Sequence, residues 1–394
     1  MAWRVRHNSR MSRHLRCSPS RRAFRLSVLV TVSLLLGACS TLRYYAQAVR
    51  GQSELVFSRR SINAMINDPS TDPKLALRLA NALRARRFAA QQLRLPDNRS
   101  YTRYVELHRE HVVWNVFAAP RFSVEPILHC FPIAGCVAYR GYFSAAAARE
   151  ELLRVRAQGD DAEMGGVAAY STLGWFADPI LSSMLRWNDD ELDGTIFHEL
   201  AHQLIYVTDD TAFNESFATF VEDEGLREWR QARGLPPQDV DAKRIENAFT
   251  ARILALRERL KLLYAGGADA PTMARGKDRE IAAFRQQYAQ WRAQVGPKAY
   301  VYDAWVAAPI NNARLLPFGL YDQWTPAFAQ LFQQAQRNWP AFYQRVRGLA
   351  GQSKTQRDAS LSRLQRVAKP SAAALPGALE AGAADQPPVL EPSR

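Results

Sequence analysis

The stretch that decides the reading is Ile196-Phe197-His198-Glu199-Leu200-Ala201-His202-Gln203, preceded by Asp189-Asp190-Glu191. Acidic residues followed by an apolar-rich run mark the start of a helix, where carboxylates offset the positive end of the dipole. On a helix His198 and His202 lie one turn apart and project from one face. Two imidazoles so placed can bind a single Zn²⁺, and Glu199 beside them can take a proton from a metal-bound water. With seven histidines in 394 residues, chance supplies about 0.006 such H-E-x-x-H matches per chain, so the pattern carries weight. Phe197, Leu200, Ala201, Leu204 and Ile205 make the helix apolar on most of its surface. Two histidines and a glutamate on a buried helix need partners.

An open catalytic zinc site needs a third protein ligand. Val207-Thr208-Asp209-Asp210-Thr211 interrupts the pattern and can cap a second helix that begins near Phe213-Asn214-Glu215-Ser216-Phe217-Ala218. The carboxylates on offer are Glu215, early in that helix, then Asp209, Asp210 and Glu222. The aspartates suit capping, and Glu222, two turns past Glu215, suits orienting a ligand.

Here the sequence resembles the gluzincin metallopeptidases, which pair H-E-x-x-H with a glutamate on a following helix, often written Asn-Glu-x-x-Ala. Asn214-Glu215-Ser216-Phe217-Ala218 has that form. The resemblance covers about residues 195–222. It implies His198, His202 and Glu215 as zinc ligands and Glu199 as general base. Twelve residues separate His202 from Glu215, a shorter spacer than is usual in that clan, so the connecting loop must be short. Phe197–Gln203, Phe213–Ala218 and Cys136-Val137-Ala138-Tyr139-Arg140-Gly141-Tyr142-Phe143 are also similar to a family of bacterial lipoproteins labelled aminopeptidases. The resemblance further implies a Tyr or His that stabilises the oxyanion, for which Tyr170, Tyr302 and Tyr321 are the candidates.

Around this segment the chain reads as α+β and predominantly helical. Residues 58–93 look helical, with a break at Asp68-Pro69. Short β-branched and aromatic runs between 112 and 170 predict a small sheet against the motif helix, interrupted by an alanine-rich helix that Ser144 opens. Phe249, Ile253, Leu256, Leu260 and Leu263, then Ile281, Phe284, Tyr288, Trp291 and Val295, recur at helical spacing. They predict an antiparallel hairpin over 244–296, joined by a connector from Ala265 to Lys277. The metallopeptidase domain is expected over 58–366, with the site in a cleft between sheet and helices.

The ends carry targeting information. The formal charge is +14, but eight arginines and no acidic residue fall within residues 1–38, leaving +6 on the rest. With no basic run interleaved with aromatics, nucleic acid is not an expected partner. The arginines, the apolar run Leu26–Leu36 and Leu36-Gly37-Ala38-Cys39-Ser40 follow the order of an export signal. They resemble the lipobox of bacterial lipoproteins, which implies lipidation of Cys39. Residues 39–57 are then a lipidated tether. A lipid-anchored protein of the bacterial envelope is expected, and Ser40 implies the periplasmic side of the outer membrane. Cys130 and Cys136 flank a bend-forming Pro-Ile-Ala-Gly run and are expected to form a disulfide in that compartment. Residues 367–394, rich in Ala and Pro, read as a disordered tail.

The expected function is zinc-dependent hydrolysis of peptide substrates, with aminopeptidase action implied by the resemblance. The rival is a non-catalytic envelope lipoprotein with a structural metal site or a partner-binding hairpin. Glu199 separates the two, since a structural site needs no base between its histidines.

Overall fold

The structure is a computed structural model that describes residues 42–131, 135–318 and 323–368. Cys39, Tyr321, the segment expected to direct export and residues 369–394 lie outside the described residues.

The described residues begin with helix α1 (residues 42–57), within the segment 39–57 expected as a tether. Tyr44 packs edge-on against Tyr142 at 5.5 Å and lies beneath the Arg140 guanidinium at 4.0 Å. Gly51 sits directly on the Phe143 ring, with no room for a Cβ. A short strand β1 (Arg60–Ser61) and helix α2 (Ile62–Ile66) follow. Helix α3 (Pro73–Gln91) is capped by Asp72, which accepts from Leu75 N at 2.9 Å.

Next come β2 (Arg103–Val105), β3 (Val113–Ala119), β4 (His129–Phe131), β5 (Gly135–Val137) and β6 (Tyr139–Tyr142). Helix α4 (Ala145–Ala157), strand β7 (Asp161–Val167) and strand β8 (Ile180–Leu181) complete this part. Three small sheets form, in the orders β1-β2-β8, β6-β3-β7 and β4-β5. In the second, β3 pairs antiparallel with both neighbours, Asn115 lying opposite Gly141 and Gly165. Alternation along β3 assigns its two faces. Trp114 and Val116 pack with Tyr142 and Ala148 toward α4, while Val113 and Asn115 turn to the opposite side and line a cavity. The β4-β5 hairpin is closed by a Cys130–Cys136 disulfide between cross-strand partners.

The motif helix α5 (Asp189–Leu204) starts with a reciprocal cap between Asn188 and Glu191. It packs antiparallel on α6 (Thr211–Ala232). The hairpin is α7 (Val240–Ala265) and α8 (Ala270–Val295). Its connector is shorter than expected. Asp269 caps α8, and Pro271 occupies the first turn, where a missing N–H costs nothing. Gly276 lies within α8 against Leu263 and lets the two helices approach closely. Short helices α9 (Asp303–Ala307) and α10 (Asn312–Leu315) lead to α11 (Thr325–Gln334), α12 (Trp339–Ala350) and α13 (Lys354–Ala368).

The main core gathers Leu79, Phe197, Phe213, Phe217, Phe328 and Phe342, so α5 and α6 are wrapped by α3, α11 and α12. The hairpin has its own apolar cluster around Phe249, Leu256 and Phe284. The fold is α+β and predominantly helical, as the periodicity indicates. Among the described residues no helix is long and apolar enough to cross a membrane.

Candidate metal centre

The short loop between α5 and α6 is fixed by Asn214. Its amide Nδ2 donates to Val207 O at 2.7 Å, and its Oδ1 accepts from Val207 N at 2.8 Å. Asp210 caps α6 by accepting from Phe213 N and forms a buried ion pair with Arg357. Asp209 takes a left-handed conformation, φ 63°, and accepts from Cys136 N at 2.7 Å. Both aspartates are therefore occupied away from the histidines. The disulfide hairpin rests on the loop that joins the two helices.

This turn aims Glu215 at the motif. His198 Nε2 lies 3.1 Å from His202 Nε2 and 3.3 Å from Glu215 Oε2, and His202 Nε2 lies 3.6 Å from the same oxygen. The fit to a metal can be tested on these separations. Ligand atoms about 2.0–2.1 Å from a tetrahedral ion lie about 3.3 Å from one another. The three observed separations scatter around that value. His198, His202 and Glu215 form a group that can hold a divalent ion.

The electrostatics point the same way. Burial opposes charging of His198, but hydrogen bonding to Glu215 and Glu222 lifts its pKa well above the usual imidazole range. Burial also works against ionised Glu215, yet His198 and His202 hold its carboxyl well below the ordinary range. The carboxylates around His198 thus favour positive charge there, which a metal ion could supply.

Glu222 receives the other face of His198, with Nδ1 to Oε2 at 3.0 Å. That contact selects the tautomer in which Nε2 faces the site. Gly194 makes the contact possible, because a Cβ there would come within 3.0 Å of the Glu222 carboxylate. Nδ1 of His202 is buried with no partner among the described residues.

Two cavities meet at His198 and Glu199. One, of about 500 Å³, opens toward α7 past Thr195, Thr219, Glu222 and Glu246. The other, of about 470 Å³, opens toward the sheet past Val113, Asn115, Tyr139, Tyr170 and Tyr206. Glu199 lines both. The candidate group lies between the sheet and the helices.

The tyrosine candidates divide. Tyr170 lines the sheet-side cavity, and burial pushes its pKa up to about 12. Tyr302 corrects the sequence reading: it stacks on Phe249 at 3.9 Å inside the hairpin cluster and lines neither cavity. Tyr139 was missed. It is half-buried on β6, and its hydroxyl pKa is raised first by desolvation and then by the nearby charges of Glu215 and Glu199. It lines the sheet-side cavity together with His198, Glu199 and Glu215. Its place in Tyr139-Arg140-Gly141-Tyr142 was the only sequence signal.

A histidine pair on one helix and a glutamate from the next form a group that could hold a metal ion, with a second carboxylate, Glu199, beside the pair. The family model described as "Putative aminopeptidase" matches residues 43–361. The chain belongs to that family. No curated protein matches the chain. No solved structure matches it.

Proposed function

We propose that the protein is a zinc-dependent peptidase acting as an aminopeptidase. The observation that carries the reading is Glu199, a carboxylate next to the paired histidines that lines the cavities on both sides of them. A site that only held the fold together would bury that position against apolar neighbours.

His198, His202 and Glu215 would hold the ion, and Glu222 would keep His198 in the ligating tautomer. Zinc, when bound, polarises the scissile carbonyl and brings the pKa of its water to about 7. Glu199 takes the proton from the attacking water and passes it to the departing amine, a role for a carboxylate open to solvent. Tyr139 donates a hydrogen bond toward charge that develops on the carbonyl oxygen. Anchoring through lipidated Cys39 at the bacterial envelope belongs to the same proposal, supported by the order of basic, apolar and small-residue segments before it.

The test is hydrolysis of an unblocked peptide by protein spanning residues 39–394. A chelator should abolish it and added zinc should restore it. Equal rates with and without chelator would exclude the metal mechanism.

A further inference from the structure

We propose that the sheet-side cavity is a side-chain subsite for a large uncharged residue, aromatic above all, next to the scissile bond. This rests on the peptidase reading. Three observations carry it.

The first is chemical contrast. The hairpin-side cavity presents Lys243, Glu222, Glu246 and three threonines. Among the described residues the sheet-side cavity presents no lysine, arginine or aspartate, and its carboxylates are Glu199 and Glu215 of the centre itself. The rest of its wall is mostly rings and small aliphatics, including Tyr44, Phe131, Tyr139, Phe143 and Tyr170, with Asn115 and Ser171 as uncharged polar groups. Away from those two carboxylates, a charged side chain placed there loses water and gains no counter-charge. An aromatic ring finds edges and faces suited to offset and T-shaped contact.

The second is size and position. About 470 Å³ is enough for a bulky side chain with part of its backbone, and the cavity includes His198, His202 and Glu199 in its wall. A side chain seated there has its own backbone beside the centre.

The third is that the walls are built before a ligand arrives. Phe143 meets Tyr170 edge-on at 5.3 Å, and Tyr44 contacts Phe131 at 6.0 Å and Tyr142 at 5.5 Å. The disulfide holds the strands that carry Phe131 and Val137. Asp178 fixes the turn after Tyr170 by accepting from Thr172 N at 3.1 Å and Gly174 N at 3.2 Å. Preorganised walls mean that binding energy is not spent on ordering them. Helix α1 contributes Tyr44 and Ala48, so the segment expected as a tether closes the subsite.

The experiment uses zinc-loaded protein and short peptides in which Phe, Leu, Ala, Glu or Lys occupies either position flanking the cleaved bond. Turnover is measured with wild type, and binding by calorimetry with Glu199→Gln, which needs no turnover. At one of the two positions kcat/KM for Phe should exceed that for Ala by about 10²-fold or more, since a single methylene is worth ~10-fold upward in an apolar pocket. Glu and Lys should do no better than Ala, and binding should show the same order. Ala48→Trp should narrow the Phe-to-Ala ratio at least about tenfold, with zinc content and melting temperature as controls. Ala48→Leu serves as a milder filling should the larger ring disturb folding. A flat series, or a Phe preference that survives both substitutions, overturns the subsite. A binding preference without turnover keeps the subsite and removes the peptidase reading. Turnover without preference does the reverse.

Discussion

The α5–α6 pair and the α7–α8 hairpin are both antiparallel helix pairs, yet they bury opposite kinds of residue. The hairpin seam is Ile245, Phe249, Ile253, Leu256 and Leu260 against Ile281, Phe284, Tyr288 and Trp291. The Tyr288 hydroxyl there reaches Ala299 O at 3.1 Å and Asp303 Oδ1 at 2.6 Å. The α5–α6 pair buries Asp193, His202, Asn214, Ser216 and Thr219 among its aromatics. Polar groups taken from water cost free energy unless they are paired. A pair that accepts this cost is built around a task, and one that avoids it is built to pack. The hairpin contributes a wall to the cleft through Lys243, Glu246 and Thr250, while the candidate ligands lie on α5 and α6.

The largest effect that sharpens this contrast is a core truncation. Phe284 is fully buried in the hairpin seam, so Phe284→Ala should cost about 3–5 kcal/mol of stability. Zinc affinity of the folded fraction should not change. Denaturant unfolding with parallel zinc titration checks both, and a loss of zinc affinity would blur the division of labour.

Asp193 gives the next. Burial, opposed by the Trp229 indole N–H at 2.7 Å, raises its pKa to about 7. Below about pH 4 the carboxyl is protonated in both states. Between about pH 4 and 7 the unfolded chain ionises while the native chain keeps its proton, so this group's contribution to stability is lost as pH rises through that window. The loss is bounded by about 4 kcal/mol, from roughly three pKa units. Thermal melts of Asp193→Asn should lack this component of the pH dependence, and an unchanged profile would contradict it.

A smaller effect is expected at Glu222. Glu222→Gln keeps the shape but weakens the hold on His198 Nδ1, and zinc affinity should fall about 10–100-fold. Competition with a chromophoric chelator reads this directly. Because ligating histidines must shed protons, affinity in both proteins should rise with pH.

Much of this was legible in the sequence because it is local. His198, Glu199 and His202 share a helix, and Glu215 follows after a turn whose length the residues dictate. The hairpin periodicity runs for many turns. What escaped depends on distant pairing. Tyr139 faces the centre because β6 pairs with β3, Phe117 lying opposite Tyr139, a register that no local pattern encodes. Helix α1 carries exposed Leu42, Tyr45 and Val49, so its amphipathic signal is weak, and contacts through Tyr44 and Gly51 settle it. The connector after α7 looked long because Pro271 and Gly276 were taken as breakers. A proline in a first turn and a glycine at a close helix crossing are compatible with helix.

The central claim is that ligand and base are different residues on adjoining helices. Zinc content and peptide hydrolysis measured together on wild type, Glu215→Ala and Glu199→Gln test it most directly. Glu215→Ala should lose zinc affinity well beyond the roughly 10–100-fold of an orienting contact. Glu199→Gln should keep its zinc while hydrolysis falls by about 10²-fold or more. Wild-type zinc content in Glu215→Ala, or undiminished hydrolysis in Glu199→Gln, would contradict the account.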